Sequence, residues 1–413
     1  MNKTDLQKFH DLGIDVHQAF QTLSTLEISL PCWQADDVSG LEHPKAGIQG
    51  GGIAATGNYP GKPGNADDLR RDLATALALC PGPMRLNLHA LYAERSGNTP
   101  DRDAYTPEHF TSWLDWAMDL QVPLDFNPSY FSHPLAADGC TLTHSDPAIR
   151  DFWIRHGQAC RLIGEHFGLK QKNRCTVNLW IPDGMKDLPA DRLAPRQRLQ
   201  EALDQIFAQP LDTDAVEDAV ESKLFGIGSE AYVVGSHEFY FGYAISRQKV
   251  LCLDAGHFHP TETLADKISA TLMYVPALLL HLSRGVRWDS DHVVLLDDPT
   301  RAVCEEIVRG GFLDRVRFGL DYFDASINRV AALALGARNA RKALLIALLQ
   351  PNDALKALEA CGNYTERLCL MEQAKLLPYG SAWDTYCEQN NCPTEFEWFS
   401  AIRSYERDVQ SKR

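Results

Sequence analysis

The stretch KVLCLDAGHFHPTETLADKISATLMYVPALLLHLS, residues 249–283, contains the repeating unit that decides the fold. Its first apolar run, Lys249–Asp254, has the length of a buried strand, and Glu262–Tyr274 has the apolar spacing of an amphipathic helix. A second short apolar run, Ala277–Ser283, follows that helix. A strand, a helix and another strand in this order predict a βαβ unit with parallel strands.

The same alternation extends in both directions along the chain. Six further runs predict strands, namely Leu26–Trp33, Met84–Tyr92, Val122–Asn127, Thr176–Pro182, Ala219–Ile227 and Arg315–Phe323. Amphipathic segments lie between them, among them Asp67–Leu79, Pro107–Leu120, Ile149–Phe167, Pro195–Ala208 and Arg301–Gly310. Eight strands alternating with helices predict an α/β fold, a closed (β/α)8 TIM barrel.

The chain continues beyond the eighth predicted strand. Ser326–Leu349 and the residues after Ala354 have mostly helical patterns, with a break at Pro351 and Asn352. We predict a catalytic barrel over residues 1–349, which includes an N-terminal helix. Residues 350–413 are predicted to form an additional C-terminal helical region that serves oligomerisation.

Charge and cysteine content restrict the partners and the compartment. The chain has 413 residues, 40 of them basic and 55 acidic, which gives a formal charge of −15. This balance excludes a nucleic-acid partner and an anionic membrane surface, because both require clustered Lys and Arg. The 11 cysteines form no Cys-x-x-Cys pair, and no long uninterrupted apolar segment occurs. We therefore expect a cytoplasmic protein.

Charged residues within the apolar strand patterns are the informative departures, because parallel strands of a barrel are buried on both faces. Glu221 and Lys223 are two residues apart in a predicted extended segment, so their side chains should point the same way, toward the barrel axis. A buried ion pair is the simplest alternative interpretation of this spacing.

Further candidate residues follow the next three predicted strands. Asp254 ends the sixth, with His257 beyond a glycine turn, and His281 ends the seventh. Structural hydrogen bonding would also explain either histidine. The remaining candidates are Asp289 and Asp291, whose spacing also suits a solvated turn, and Asp321 on the eighth strand, with Asp324 as its substitute.

All these residues should meet at the carboxyl-terminal rim of the barrel, where barrel enzymes place their active sites. Five carboxylates gathered at one rim would repel each other and raise their pKa values. Two divalent cations would compensate this charge, and Lys223 would add one more positive group. Carboxylate-rich ligation with two imidazoles favours Mn²⁺, Mg²⁺ or Co²⁺ over a thiolate zinc site.

Longer motifs carry a resemblance to a known family. The chain resembles the L-rhamnose isomerase family, within the xylose isomerase-like barrels, over nearly its whole length. The motifs are CWQADDVSG (32–40), ATGNYPGK (55–62), LNLHALY (86–92), DFNPSYFSHPL (125–135), NLWIPDGMKD (178–187), VESKLFGIG (220–228), LCLDAGHFHPTE (251–262), VRWDSDHVVLLDD (286–298) and GLDYFDASINR (319–329).

The resemblance implies an aldose–ketose isomerase that converts L-rhamnose to L-rhamnulose, the first step of rhamnose catabolism, by a metal-assisted 1,2-hydride shift. It implies two divalent ions per subunit, Mn²⁺ first and Co²⁺, Mg²⁺ or Zn²⁺ as alternatives, and a homotetramer. The implied first metal set is Glu221, Asp254, His281 and Asp321, and the second is His257, Asp289 and Asp291, with Asp254 near both.

The resemblance also implies roles in catalysis and substrate binding. Lys223 would hydrogen-bond the oxyanion at O1, His89 would assist ring opening, and Asp321 would act in catalysis as well as in metal binding. Substrate binding would involve Trp180 and Phe131 as an apolar wall, together with His257 and Asp289. From the residues alone, His89, Trp180 and Phe131 are equally explained as core side chains.

Two other classes of function compete with the isomerase. One is a metal-dependent hydrolase or sugar epimerase on a related barrel, and the other is a non-catalytic sugar-binding barrel. Lys223 favours the isomerase, because an aldose isomerase needs a cation at the carbonyl oxygen, whereas an epimerase needs paired carboxylate bases. A sugar-binding barrel does not explain two metal sites.

Overall fold

The computed structural model describes residues 1–42, 55, 57–94, 100–226, 228–284 and 292–413. Eight parallel strands close into a barrel in chain order, and the first strand pairs with both the second and the eighth. The barrel strands are Ile28–Pro31, Met84–His89, Leu124–Asn127, Cys175–Leu179, Val216–Glu221, Val250–Asp254, Leu278–Leu282 and Val316–Leu320. The predicted (β/α)8 barrel is confirmed.

The fifth strand differs from its predicted bounds. It begins at Val216 and ends at Glu221, so the predicted continuation through Lys223 is wrong, and Ile227 lies outside the described residues. The backbone N–H of Lys223 donates to the carbonyl of Gly235 at 3.0 Å instead of joining the barrel ladder. Lys223 is therefore held by a segment outside the barrel.

That segment is a small antiparallel sheet above the rim. Gly184–Met185 pairs with Tyr232–Val233, and we call this pair the clasp. Each of its strands has two residues, which is too short to leave a periodic pattern in the sequence. The clasp is absent from the predictions for this reason.

Helices surround the barrel and continue after it. The helix His237–Arg247 is not among those predicted, because its four aromatic residues have strand propensity. Two helices, not one, precede the first strand. The α-helices are Lys3–His10, Val16–Leu23, Ala66–Ala78, Thr111–Asp119, Pro147–Gln171, Leu193–Ile206, His237–Arg247, Leu264–Leu272, Asp298–Gly310, Arg329–Leu348, Asn352–Ala360, Tyr364–Ala374, Tyr379–Gln389 and Trp398–Asp408.

The helix Arg329–Leu348 follows the eighth strand and is buried along most of its length, as expected for a helix covered on several sides. Its buried Arg338 donates to the carbonyl of Leu79 at 2.9 Å, and its buried Arg341 donates to the carbonyl of Leu23 at 3.1 Å. These bonds satisfy carbonyls at the ends of early elements, so this helix ties the end of the barrel to its beginning.

The amino-terminal end of the barrel is closed by charged side chains. Arg85 donates to both carboxylate oxygens of Asp125, at 3.0 and 2.8 Å, and Arg317 donates to Glu217 at 2.8 Å. They line a cavity of about 380 Å³ together with Ser29 and other residues of this end. These charges are paired with each other and stabilise the amino-terminal end of the barrel, which we call the floor. The carboxyl-terminal end is the end where barrel enzymes place their active sites.

The last helix packs back onto the barrel. Tyr405 donates to the buried Asp72 at 2.6 Å, and Tyr59 donates to Glu406 at 2.6 Å. These contacts join the C-terminal region to the helix Ala66–Ala78 and to the segment that lies before this helix and contains Tyr59. Among the described helices, none is long and apolar enough to cross a membrane.

Gly168 provides a test of how tightly the helix Pro147–Gln171 packs. A Cβ at this position would lie 1.8 Å from the carbonyl oxygen of Ala215, which is backbone and cannot move aside cheaply. Gly168→Ala should therefore destabilise the fold by about 1–3 kcal/mol. A fall in the midpoint of thermal unfolding would show this loss.

Gly242 is the matched control, because it is also helical and exposed, and no described atom lies within 4 Å of its Cβ position. Gly242→Ala should leave stability unchanged or increase it by about 0.5–1 kcal/mol. Equal midpoints for the two variants would contradict the packing described.

Candidate active site

Four predicted site residues meet at the carboxyl-terminal rim. Glu221, Asp254 and His281 lie on the fifth, sixth and seventh strands, and Asp321 directly follows the eighth. One potential ligand atom from each lies within 4.8 Å of those of the other three. The register aligns Asp254 with His281 in the neighbouring strand, which places both side chains at the same height. We call these four residues the rim cluster.

The imidazole of His281 lies at the centre of the rim cluster. Its Nδ1 is 3.4 Å from both carboxylate oxygens of Glu221, 3.6 Å from Asp254 Oδ2 and 3.4 Å from Asp321 Oδ2. Gly319 makes room for the ring, because a Cβ there would lie 3.0 Å from His281 Cδ2. One ring nitrogen therefore faces three carboxylates.

The charges of the rim cluster shift its proton equilibria. Burial raises the pKa of Asp321 to about 7, with His281 opposing the rise and Asp254 adding to it. Burial alone would lower the pKa of His281, but Cys252 and Glu221 outweigh it and hold that pKa well above the usual value. In this arrangement protons supply the positive charge that the carboxylates need.

The rim cluster has the properties of a divalent-cation site. Asp254 Oδ2 is buried and accepts no hydrogen bond within the described part of the chain. Asn178 donates to Glu221 Oε2 at 2.5 Å, and Trp33 Nε1 donates to Asp321 Oδ1 at 2.9 Å. Such outer partners orient the ligands of metal sites. The donor set of three carboxylates and one imidazole therefore fits a hard or borderline divalent ion.

The other candidate ligands have different outcomes. His257 follows the sixth strand, and its Nδ1 lies 3.3 Å from Glu221 Oε1, beside the rim cluster. Asp289 and Asp291 lie outside the described residues. Asp324 is not in the rim cluster, because its Oδ1 accepts from the backbone N–H of Ser326 at 2.8 Å. Of the two eighth-strand alternatives, Asp321 lies with the other candidate ligands.

Lys223 and the candidate aromatic residues line the same end of the barrel. The Lys223 ammonium donates to the carbonyl of Pro182 at 3.4 Å and lies 5.5 Å from the ring centre of Trp180. The ring of Trp180 is 6.1 Å from that of Phe131, which is 5.3 Å from that of His89. The predicted wall is therefore one continuous set of rings.

The environment of His89 keeps it neutral. Burial, and then the nearby Arg102 guanidinium, lower the pKa of His89 to about 3. Its Nδ1 lies 3.1 Å from Ser129 Oγ, and its ring packs against Trp33 at 4.7 Å. A neutral imidazole fixed in this way can present its other nitrogen to a bound molecule.

Sequence reasoning missed Trp33 and Asn178 as parts of the site. Each directly supports a rim-cluster carboxylate from a strand distant in sequence. The available signal was their position, since Trp33 follows the first strand and Asn178 lies near the end of the fourth. Their partners could not be identified without the register of the closed barrel.

A barrel with buried carboxylates, imidazoles and a lysine at its carboxyl-terminal rim has the side chains of a metal-dependent barrel enzyme. The model of the L-rhamnose isomerase (RhaA) family matches residues 2–413, and the chain belongs to this family. The protein is therefore an enzyme, an aldose–ketose isomerase. Membership favours this activity over the hydrolase and epimerase alternatives.

Two relatives named L-rhamnose isomerase agree with the family match. L-rhamnose isomerase of Yersinia pseudotuberculosis serotype IB is 58% identical over 407 residues, which cover 98% of this chain and 97% of the relative. The enzyme of the same name from Salmonella paratyphi B is 57% identical over 408 residues, with coverages of 98% and 97%. A solved structure of L-ribulose 3-epimerase is 11% identical, with a TM-score of 0.48, and covers 81% of this chain and 97% of its own.

The raised pKa values of Asp321 and His281 predict how the affinity of the rim cluster for a cation depends on pH. A divalent ion must displace the proton of Asp321, whose pKa is raised to about 7, and that of His281. Both protons are bound at low pH, so affinity should fall as pH decreases below 7. The Kd for Mn²⁺ should increase by about ten- to a hundredfold per pH unit between pH 7 and 5.

Titration calorimetry on the EDTA-treated protein measures this dependence. Asp321→Asn is the matched variant, because it removes one titrating group and should reduce the slope of log Kd against pH by about one. A Kd that does not change with pH would contradict the assignment of displaced protons to the rim cluster.

Proposed function

We propose that the protein interconverts L-rhamnose and L-rhamnulose by a metal-assisted 1,2-hydride shift. The observation that carries the proposal is the rim cluster together with Lys223, which follows Glu221 by two residues and lies over the Trp180 ring. In this reaction the C2 hydrogen of the open-chain aldose moves with its electron pair to C1, and the O2 proton moves to O1. The family match and the names of the relatives support L-rhamnose as the first substrate to test.

Two divalent cations per subunit, with Mn²⁺ first and Co²⁺, Mg²⁺ or Zn²⁺ as alternatives, belong to this proposal. Glu221, Asp254, His281 and Asp321 would hold the first ion, which fits the donors of the rim cluster. His257, Asp289 and Asp291 would hold the second, and Asp254 would lie near both. When bound, such ions polarise a carbonyl and stabilise negative charge on sugar oxygens.

The chain's own residues would do the remaining work. Lys223 would donate a hydrogen bond to O1, where negative charge develops as the hydride arrives at C1. Neutral His89 would assist opening of the sugar ring by hydrogen bonding through the ring nitrogen that does not face Ser129. Trp180 and Phe131 would exclude water from the sugar face. His257, Asp289 and Asp321 would contact substrate or reacting atoms beside the ions.

The compartment and the assembly are part of the same proposal. The cysteines have no disulfide partner in the described chain, which suits a reducing cytoplasm. We propose a homotetramer in which residues 350–413 contribute to subunit contacts. The helix Tyr364–Ala374 buries only Ala374, and Leu368 and Leu376 are 57% and 86% exposed. Light scattering on the full chain measures this state, and a monomer would exclude it.

The substrate and the metal requirement can be tested together. After EDTA treatment the protein should form no ketose from any aldose, and adding Mn²⁺ should restore ketose formation, fastest from L-rhamnose. The panel should include L-mannose, L-lyxose and D-allose, which share the relevant hydroxyl pattern. Full activity in EDTA would contradict the metal requirement, and a faster reaction with another aldose would change the substrate.

Lys223→Met tests the oxyanion role. Loss of one preorganised donor should lower kcat by about 100- to 1,000-fold, while Mn²⁺ content stays unchanged because Lys223 is not a proposed ligand. Steady-state kinetics and metal analysis measure the two quantities.

Lys249→Met is the matched control, because Lys249 donates to Asp218 at 2.6 Å, and Asp218 also accepts from Arg161 at 2.8 Å. It should reduce stability and leave kcat within about twofold of the wild type, since Asp218 retains a cationic partner. Retained isomerase activity in Lys223→Met would remove the oxyanion role.

A further inference from the structure

Asp183 is a buried carboxylate that the reaction does not use directly. It lies three residues after Trp180, is 1% exposed, and accepts four hydrogen bonds. The backbone N–H and hydroxyl of Thr141 donate at 2.7 and 2.6 Å, and those of Thr143 donate at 3.0 and 2.7 Å. Burying a charge is costly, so such a site persists only with several good hydrogen bonds.

Asp183 begins one side of the clasp. Its own carbonyl accepts from the backbone N–H of Val234 at 3.1 Å, which extends the pairing of Gly184–Met185 with Tyr232–Val233 by one bond. The clasp is tight at Gly184, where a Cβ would lie 2.5 Å from the carbonyl oxygen of Tyr232. The four hydrogen bonds to Asp183 thus anchor the clasp to the segment that follows the third strand.

Lys223 makes hydrogen bonds to residues on either side of the hydrogen bond between Val234 and Asp183. Its backbone N–H donates to Gly235, the residue after Val234, and its ammonium donates to Pro182, the residue before Asp183. The fifth barrel strand ends at Glu221, so Lys223 is not part of it. The backbone of Lys223 bonds to Gly235 beside the clasp instead of to a neighbouring barrel strand. The backbone and the ammonium of Lys223 therefore bond to two segments that the hydrogen bond between Val234 and Asp183 joins.

From these contacts we propose that Asp183 is a positioning residue, which fixes the ammonium of Lys223 over the substrate through the clasp. The inference rests on the proposed role of Lys223 at O1. A lysine side chain has many rotamers, and an ammonium that is already held in position loses less conformational entropy when charge develops at the substrate oxygen. A displacement of about 1 Å at such a group can reduce the rate by about 100-fold.

Asp183→Asn tests the proposal, because its amide group would present N–H donors to the N–H and hydroxyl groups of Thr141 and Thr143. The variant should lower kcat by about 10- to 100-fold, with KM changed less than about threefold and Mn²⁺ content unchanged. Thr143→Val is the milder variant, since it removes one donor and keeps the carboxylate. It should lower kcat by about three- to tenfold and keeps the test available if Asp183→Asn does not fold.

Asp72→Asn is the control for the loss of a buried carboxylate. Asp72 is also buried and accepts from Tyr405 and Arg413, on an outer helix away from the rim. It should lower the midpoint of thermal unfolding and leave kcat within about twofold of the wild type. A loss of kcat in Asp72→Asn equal to that in Asp183→Asn would reduce Asp183 to a stability role and overturn the proposal.

A double-mutant cycle separates this inference from the proposed function. If Asp183 acts through Lys223, adding Asp183→Asn to Lys223→Gln should lower kcat by less than about twofold beyond Lys223→Gln alone. Losses that multiply would overturn the positioning role, as would an unchanged kcat in Asp183→Asn and Thr143→Val. Wild-type kcat in Lys223→Gln alone would instead reject the role of Lys223 itself, whatever Asp183 does.

Discussion

Repulsion among the buried carboxylates is the constraint on which the rim depends. Glu221 and Asp254 are 2% and 1% exposed, and both lie beside Asp321 in the rim cluster. Negative groups this close cannot all ionise in a region of low dielectric constant without compensating positive charge. A folded rim therefore needs protons or cations, in keeping with the pKa of Asp321, which burial raises and the Asp254 charge raises further. The same demand that makes this end costly to fold makes it able to bind a divalent ion.

The closed barrel positions the side chains of the rim cluster through the pairing of its strands. Each residue of the rim cluster lies on a different strand or directly after one, so the register of neighbouring strands sets the distances between these four side chains. At the opposite end Arg85, Asp125, Glu217 and Arg317 pair with each other. The two ends therefore differ in charge. At the floor each of these carboxylates has an arginine partner, whereas the rim cluster has three carboxylates and one imidazole.

Most of the fold and the position of all four rim-cluster residues at the carboxyl-terminal rim could be predicted from the sequence. The eight strands are short apolar runs separated by helical spacing, and a carboxylate or imidazole at the end of such a run stands out. The helix His237–Arg247 could not be recognised, because its aromatic residues suit a strand equally well. Trp33 and Asn178 could not be assigned, because their partners depend on which strands become neighbours. The sequence predicts Lys223 at the rim, but the predicted cause, an extended strand that continues through Lys223, is wrong. The strand ends two residues earlier, at Glu221, and Lys223 bonds to Gly235 beside the clasp.

The arginines of the helix Arg329–Leu348 have a consequence for the order in which the molecule can form during synthesis. Arg341 satisfies the carbonyl of Leu23, and the eighth strand pairs with the first, so the earliest barrel elements wait for partners made near the end of the chain. At about 5–20 residues per second, the ribosome leaves the first strand without its second neighbour for tens of seconds. The nascent chain must keep that apolar edge from pairing elsewhere until residues 316–341 emerge.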